Sequence, residues 1–234
     1  MELCILIPAY NEEGSLNETI SNIYSILSIN IRFNILVIND HSEDKTESIL
    51  IGLSKQFENF SFVNNELELG VGNAIKFGLN RWSGDIVVIC MADSSDSPVD
   101  IMSSYNKLID ENYDCIFGSR FISGSSVKNY SVFKLLLNRI FNNMVKYITN
   151  HNFNDFTNIF KMYTRHAINE IGQIQSDSFS IGLEMSLKAF YRKLNIGYLP
   201  ISWKQRSSGK SKLRLFKNVR LFLLTLIRCI RYAK

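Results

Sequence analysis

Three times in its first hundred residues this chain lays down a short apolar run, stops it at a polar cluster and continues with a segment of helical periodicity. Residues 3–7 end at Pro8-Ala-Tyr-Asn-Glu-Glu-Gly14. A helix over 15–29 follows, with Leu16, Ile20, Ile23, Ile26 and Leu27 on one face. Residues 33–38 end at Asn39-Asp40-His41-Ser42 before a helix over 43–57, and residues 85–91 end at Asp93 and Asp96 before a helix over 98–111. Further strands are expected over 60–64 and 114–118, and a helix opened by Gly70-Val-Gly72 runs to 82. Short apolar runs bounded by turn formers suit strands buried on both faces. Their alternation with helices predicts an α/β fold, a mostly parallel sheet flanked by helices and doubly wound. In such sheets ligands bind beyond the carboxyl ends of the strands, which is where the three polar clusters fall.

The cluster after 85–91 carries the most chemistry. Asp93, with Asp96 three residues on, can hold a hard divalent cation through oxygen ligands and so neutralise a diphosphate. The plainer alternative is that both aspartates cap the helix beginning at Pro98. Gly70 and Gly72 also have two readings: backbone N–H groups aimed at phosphate from a helix N-terminus, or a tight turn that needs positive φ.

Charge divides the chain. Residues 1–184 hold 13 of the 26 Lys/Arg and all 22 Asp/Glu, whereas residues 185–234 hold the other 13 Lys/Arg and no acid. The tail therefore faces something anionic. Within it, residues 213–234 alternate large aliphatics with Lys217, Arg220, Arg228 and Arg231, and the longest charge-free stretch, 221–227, is far shorter than the roughly 20 apolar residues a membrane span needs. A basic amphipathic helix lying on a bilayer is expected, in preference to nucleic-acid binding, for which no reader motif is present. A helix packed back on the domain or on a second copy is the alternative, so a homodimer stays open. By its periodicity alone the apolar stripe over 130–149 reads as core packing. Cys4, Cys90, Cys115 and Cys229 show no zinc-ligand spacing and read as buried thiols. With Met1 almost directly before the first strand, a cytoplasmic protein is expected.

In chain order, IPAYNEE (7–13), INDHSEDKT (38–46), ELGVGNAIKFGL (68–79), MADSSDSP (91–98), GSRF (118–121), DFTNIFKMY (155–163) and WKQRSSGKSKL (203–213) resemble the inverting family 2 glycosyltransferases of type A fold. The likeness is greatest to the dolichol-phosphate mannose synthase group of polyprenyl-phosphate transferases. It implies a catalytic domain over 1–212, followed by the amphipathic helix over 213–234. It implies that Pro8, Tyr10, Glu12 and Asp40 line the base and ribose pocket, and that Asp93, with Asp96, binds Mg²⁺ or Mn²⁺ and the donor diphosphate. Arg120 would sit near the transferred sugar or the acceptor phosphate. Arg206 and Lys212 would close over the phosphates. The stripe over 130–149 would be turned toward a membrane. The donor would be GDP-mannose or a UDP-sugar, the acceptor a dolichyl or undecaprenyl phosphate, and the site peripheral on the cytoplasmic membrane face.

Departures from the family pattern are specific. Met91 stands where an aspartate is usual, Asn39 replaces another, and Asn158-Ile159 with Lys161 replace Ser-Gly and Arg. The Gln-x-x-Arg-Trp motif of processive synthases is absent, so a single transfer is expected. Transfer to a glycan or protein hydroxyl, and a non-catalytic scaffold binding nucleotide or membrane, are the alternatives. Glu184, His151 and His166 read as surface positions, with an acceptor-side role for Glu184 as the other option. Asp155 reads as ordering the loop that carries Lys161.

Overall fold

The computed structural model describes residues 1–28, 31–205 and 215–232. Seven strands form one sheet: β1 (Leu3–Ala9), β2 (Phe33–Asn39), β3 (Phe60–Asn64), β4 (Ile86–Ile89), β5 (Cys115–Ser119), β7 (Lys161–Thr164) and β8 (Ile196–Pro200). Their spatial order is β3-β2-β1-β4-β7-β5-β8. All neighbours pair in parallel except β7, which runs antiparallel to both β4 and β5. A separate two-stranded parallel ribbon joins β6 (Ser126–Lys128) to β9 (Ser202–Lys204).

Eight helices are seen among the described residues: α1 (Leu16–Leu27), α2 (Thr46–Gln56), α3 (Val71–Leu79), α4 (Pro98–Asp110), α5 (Val132–Thr149), α6 (Arg165–Ile171), α7 (Ile181–Tyr191) and α8 (Leu215–Tyr232). Strand periodicity sends alternate residues to opposite faces, and this builds two cores. Leu3, Ile5, Ile7, Ile86 and Val88 join Ile20 and Ile23 of α1 and Ile101 and Leu108 of α4. Cys4, Leu6, Val87 and Ile89 join Ile75 and Phe77 of α3 and Leu183 and Leu187 of α7. Every β1 residue is buried, as its unbroken apolar run requires. The expected elements are present among the described residues, with the helix ends in the first 111 residues up to three residues shorter. Patterning did not reveal β6, β8, β9, α6 and, with the largest effect on topology, β7, whose insertion separates β4 from β5.

Two expectations change on the C-terminal side. The α5 stripe is core only in part: Phe141, Met144 and Val145 pack into one of the two cores, whereas Phe133, Leu136, Ile140 and Ile148 are exposed. Packing area on the sheet is already taken by α3 and α7. Helix α8 packs on α7 through Thr225, Leu226 and Cys229, while Val219, Leu223, Leu224 and Ile227 stay exposed. Phe141 of α5 meets Phe222 of α8 at 5.5 Å between ring centroids, so the two helices adjoin. Among the described residues, no helix is long and apolar enough to cross a membrane. All four cysteines are free and buried. His151, read as a surface position, is half-buried, its ring stacked on Phe190 at 4.3 Å.

Candidate functional site

The loops leaving β1, β2 and β4 open on one edge of the sheet, and their backbones are bent there. Asn11, His41 and Ser94 each adopt positive φ (50°, 60° and 56°), a left-handed conformation that non-glycine residues seldom take. Such outliers gather at functional sites, where the surroundings hold them in place. The first two loops brace each other: Asn11 N–H donates to Ser42 Oγ at 3.0 Å, and Glu43 N–H donates to Asn11 Oδ1 at 2.7 Å. Glu12 is buried, its N–H donating to Thr46 Oγ1 at 2.8 Å and its Oε2 accepting from Ser15 Oγ at 3.0 Å. Asp40 is buried as well. Its Oδ1 accepts from Asn65 Nδ2 at 2.7 Å and its Oδ2 from Gly70 N–H at 3.0 Å. Pro8 lies in the buried end of β1, and Tyr10, just past that strand, is half-buried. His41 is exposed and donates from Nε2 to the Leu67 carbonyl at 2.7 Å.

The glycines before α3 serve neither of the purposes read from the sequence. Gly70 has φ 161°, an extended conformation open to any residue, so positive φ is not the reason for it. A Cβ there would lie 2.4 Å from the Asp177 carbonyl oxygen, and a Cβ at Gly72 would lie 2.6 Å from that of Ser176. Close approach of another backbone excludes side chains. The two N–H groups also have protein acceptors, Asp40 Oδ2 for Gly70 and the Asp177 carbonyl, at 3.1 Å, for Gly72.

The loop after β4 carries the acidic pair. Asp93 Oδ1 accepts from Ser95 N–H at 3.1 Å and Asp96 Oδ2 from Met91 N–H at 2.9 Å. Ser97, not an aspartate, occupies the N-cap of α4. Loss of water around Asp96 pushes its carboxyl up to about 7; the Met91 hydrogen bond and Arg120 pull it down, and the charges of Asp93 and Asp100 push it up. Asp96 therefore feels both the other carboxylate and Arg120. Among the described residues no group of three or more His, Cys, Asp or Glu side chains is placed to hold a metal. Two carboxylates suffice for a cation that completes its shell with water and substrate phosphate, the usual habit of Mg²⁺. A neighbouring cation would favour the ionised form of Asp96 against the desolvation, and the smaller Asp93 charge, that raise its pKa.

Opposite this loop stands Arg120, just past the end of β5. Its Nε and Nη2 donate to Asp155 Oδ2 and Oδ1 at 2.8 and 2.7 Å, and its own N–H donates to Asp155 Oδ2 at 3.0 Å. The pair is buried, the side chains 9% and 0% exposed. Burial would lower the pKa of the guanidinium, but the Asp155 carboxylate more than offsets this and raises it. The rings of Phe121, Tyr130 and Trp203 stand 5.4, 5.9 and 5.9 Å from the guanidinium carbon. Asp155 thus orders Arg120, and Lys161 lies beneath it. Lys161 is 1% exposed and donates to the carbonyls of Phe156 and Asn158. Burial drives its ammonium down to about 7, with Asp155 opposing and Arg120 reinforcing the shift.

The Asp155 loop is itself clamped. Asn138 and Asn142 of α5 donate to Thr157 Oγ1 at 3.0 and 3.1 Å, and Arg139 donates to the Asn154 carbonyl at 2.8 Å. On its other side Gly182 opens α7 so closely that a Cβ would meet the Asn158 carbonyl oxygen at 2.8 Å. Gly182→Ala is expected to cost about 1–3 kcal/mol by overpacking, seen as a lower urea midpoint.

Strand β9 ties the basic tail to the acidic loop. Lys204 N–H donates to the Ser95 carbonyl at 3.1 Å, and Asp96 forms a bridge with Trp203. A cleft of about 270 Å³ beside the loop is bounded by Thr19, Asn22, Asp96, Lys128, Trp203 and Lys204. Arg206 and Lys212, the expected phosphate-closing pair, lie outside the described residues. Glu184, read as a surface position, is 1% exposed and fully engaged by other groups.

Comparison with known proteins agrees with this arrangement. Over 216 residues the chain is 25% identical to a dolichol-phosphate mannosyltransferase of Pyrococcus furiosus, covering 92% of this chain and 60% of that protein. It is 25% identical over 235 residues to the undecaprenyl-phosphate 4-deoxy-4-formamido-L-arabinose transferase of Photorhabdus laumondii, covering 99% and 69%. It is 23% identical over 215 residues to the polyprenol monophosphomannose synthase of Mycolicibacterium smegmatis, covering 89% and 80%. The chain thus spans less than two thirds of the first of these relatives. Glucosyl-3-phosphoglycerate synthase from Mycobacterium tuberculosis, solved with Mn²⁺, UDP and phosphoglyceric acid, superposes with a TM-score of 0.75 at 17% identity, over 97% of this chain and 78% of that one. That likeness establishes the type A glycosyltransferase fold. The glycosyl transferase family 2 model matches residues 4–172, well over half the chain, and with the fold it shows that this protein belongs to family 2 of the glycosyltransferases.

Proposed function

We propose that this glycosyltransferase moves one sugar from a nucleotide-diphosphate sugar to a polyprenyl phosphate, with inversion, while lying peripherally on the cytoplasmic face of a membrane. The observation that carries the reading is the meeting of an acidic loop with a buried, carboxylate-held guanidinium at one edge of the sheet, close enough for Asp96 to feel both Asp93 and Arg120. An acidic loop suits a metal-bound diphosphate, and an arginine suits a second phosphate group. The three relatives, each named for a dolichol, undecaprenyl or polyprenol phosphate, support the acceptor class.

In this reading Pro8, Tyr10, Glu12 and Asp40 line the base and ribose pocket, and Asp93 with Asp96 holds Mg²⁺ or Mn²⁺. The cation, when bound, supplies Lewis-acid stabilisation of the leaving diphosphate. Arg120 orients the acceptor phosphate. A guanidinium has five N–H donors, and the pair with Asp155 uses two. Arg206 and Lys212 close over the phosphates from the basic tail. The acceptor oxygen attacks the anomeric carbon, the bond from that carbon to the diphosphate breaks, and nucleoside diphosphate leaves. Since the second pKa of a phosphate monoester is about 6, the nucleophile is already ionised and needs no protein base.

Membrane attachment rests on α5 and α8. Phe133, Leu136 and Ile140 of α5 and Val219, Leu223 and Ile227 of α8 are exposed on two helices that touch at Phe141 and Phe222, and the same helices carry Lys134, Arg220 and Arg231. Each such cation near an anionic headgroup is worth about 1 kcal/mol.

The test is transfer from radiolabelled GDP-mannose and a set of UDP-sugars to polyprenyl phosphate in detergent with Mg²⁺ or Mn²⁺. Lipid-linked product from one donor, abolished by EDTA, is the expected result. Product formed on a glycan or protein hydroxyl in the absence of lipid would overturn the acceptor assignment.

A further inference from the structure

Glu184 of α7 is a buried carboxylate for which the transfer reaction described above has no use. Its Oε1 accepts from Gln175 N–H and Lys188 Nζ, both at 3.0 Å. Its Oε2 accepts from Ser176 N–H at 2.8 Å and from Arg228 Nη2 of α8 at 3.0 Å. Arg228 also donates to Ser176 Oγ at 2.9 Å, Lys188 also donates to the Gln173 carbonyl, and Thr225 of α8 donates to Ser180 Oγ at 3.0 Å. One carboxylate thus gathers the segment 173–176 and fastens it to α8. Burial by itself would raise the Glu184 pKa, but these donors and the Lys188 charge hold it below the usual value, so it is ionised at neutral pH.

The residues that follow press on the start of α3. Asp177 offers its carbonyl to Gly72 N–H at 3.1 Å. Backbone atoms of Ser176, Asp177 and Ser178 would all lie within 2.6 Å of a Cβ at Gly72. That contact has no slack. At the same helix start, Gly70 N–H donates to Asp40 Oδ2 at 3.0 Å, and Asn65 completes the hold on the carboxylate. An unbroken path of hydrogen bonds and close backbone contact therefore runs from Arg228 through Glu184, Ser176 and Asp177 to Gly72, Gly70 and Asp40.

We infer that Glu184 is a positioning residue for the nucleotide pocket, setting Asp40 through the N-terminus of α3, and that Arg228 couples the seating of α8 to donor affinity. This rests on the reading of Asp40 as a nucleotide-binding residue. By linkage the coupling is reciprocal, so a bound donor favours the seated form of α8. The outer face of α8 is the apolar surface given above to the membrane, which makes the path a route by which lipid contact tightens donor binding.

The experiment is calorimetric titration with UDP and GDP, with Mg²⁺ and without acceptor, on the wild-type chain, Asp40→Asn, Glu184→Gln, Arg228→Lys and the two double variants with Asp40→Asn. Thermal midpoints are recorded alongside. Glu184→Gln and Arg228→Lys are expected to weaken the nucleotide that binds the wild type by about 3- to 30-fold, the range known for coupling mutations remote from a ligand. Neither should weaken it further once Asp40 is Asn, because groups on one path are non-additive. In turnover, the donor KM should rise while kcat at saturation stays within about 2-fold, a split typical of lost binding. Lower midpoints with unchanged affinity, or effects that add fully to Asp40→Asn, would overturn the inference and leave Glu184 a purely structural anchor for α8. Wild-type-like binding by Asp40→Asn, or no binding of either nucleotide to the wild type, would overturn the pocket assignment itself. Should Glu184→Gln not fold, Arg228→Lys decides, since its side chain is 39% exposed and retains its charge.

Discussion

Asp155→Asn is expected to lower the stability of the protein by about 3–5 kcal/mol, the usual consequence of removing one partner from a buried ion pair. The size follows from burial. Asp155 is fully enclosed, its carboxylate takes three hydrogen bonds from Arg120 alone, and Lys161 lies close by in the same interior. With the carboxylate neutralised, the Arg120 guanidinium would be left without its counter-charge in a poorly hydrated space. Urea denaturation monitored by circular dichroism reads the effect as a fall in midpoint at unchanged slope. Because whole domains are stable by only about 5–15 kcal/mol, such a loss is a large fraction of the total. The double variant Arg120→Met/Asp155→Leu should recover much of that stability, since apolar replacement of a buried pair is often close to neutral. It should still be inactive in transfer. Stability regained without activity would separate the structural share of the pair from the part Arg120 plays toward phosphate. A single Asp155→Asn variant as stable as the wild type would contradict the burial argument.

Asp93→Ala should leave the fold intact and reduce transfer by at least about 10²–10³-fold, the loss common when one preorganised stabiliser of developing charge is removed. Asp93 is half-buried in a loop, and its described hydrogen bond is local, to Ser95 two residues on. The assay is initial-rate transfer to polyprenyl phosphate at several Mn²⁺ concentrations, with the thermal midpoint as a control. A wild-type midpoint beside a collapsed rate is the expected outcome. Turnover at the wild-type rate would remove Asp93 from the metal and diphosphate site. Asp96→Ala differs in kind, because Asp96 also holds Met91 N–H and pairs with Trp203, so both the rate and the midpoint should fall.

Much of this was legible before any coordinates. Apolar runs interrupted by turn residues located β1 to β5 and the helices between them, because burial on both faces leaves an unbroken hydrophobic stretch and amphipathic packing leaves a 3.6-residue period. The polar clusters at the ends of those runs fell on one edge because a parallel sheet aligns its carboxyl ends. Strand β7 escaped, since four residues of mixed polarity, one of them the buried Lys161, carry no strand signature. Its neighbours had to be known first. The α5 stripe was legible only in part: periodicity shows that a helix has an apolar face and does not say how much of it is covered, here Phe141, Met144 and Val145 but not Phe133, Leu136 or Ile140.

Glu184, Asp155 and the Gly70–Gly72 turn mark the limit more sharply. In the chain, Glu184 lies 44 residues from Arg228, and Asp155 lies 35 from Arg120. No local pattern encodes which acid meets which base, nor that a backbone segment a hundred residues on leaves no room for a Cβ at Gly72. The sequence by itself determined the order of elements, the edge that carries the chemistry and the residue types available there, because those follow from local propensity and hydrophobic period. Only the tertiary structure decided which charges are buried, which partners hold them and which apolar helix faces stay uncovered, because desolvation and close packing depend on groups that are distant in the chain and meet only when it folds.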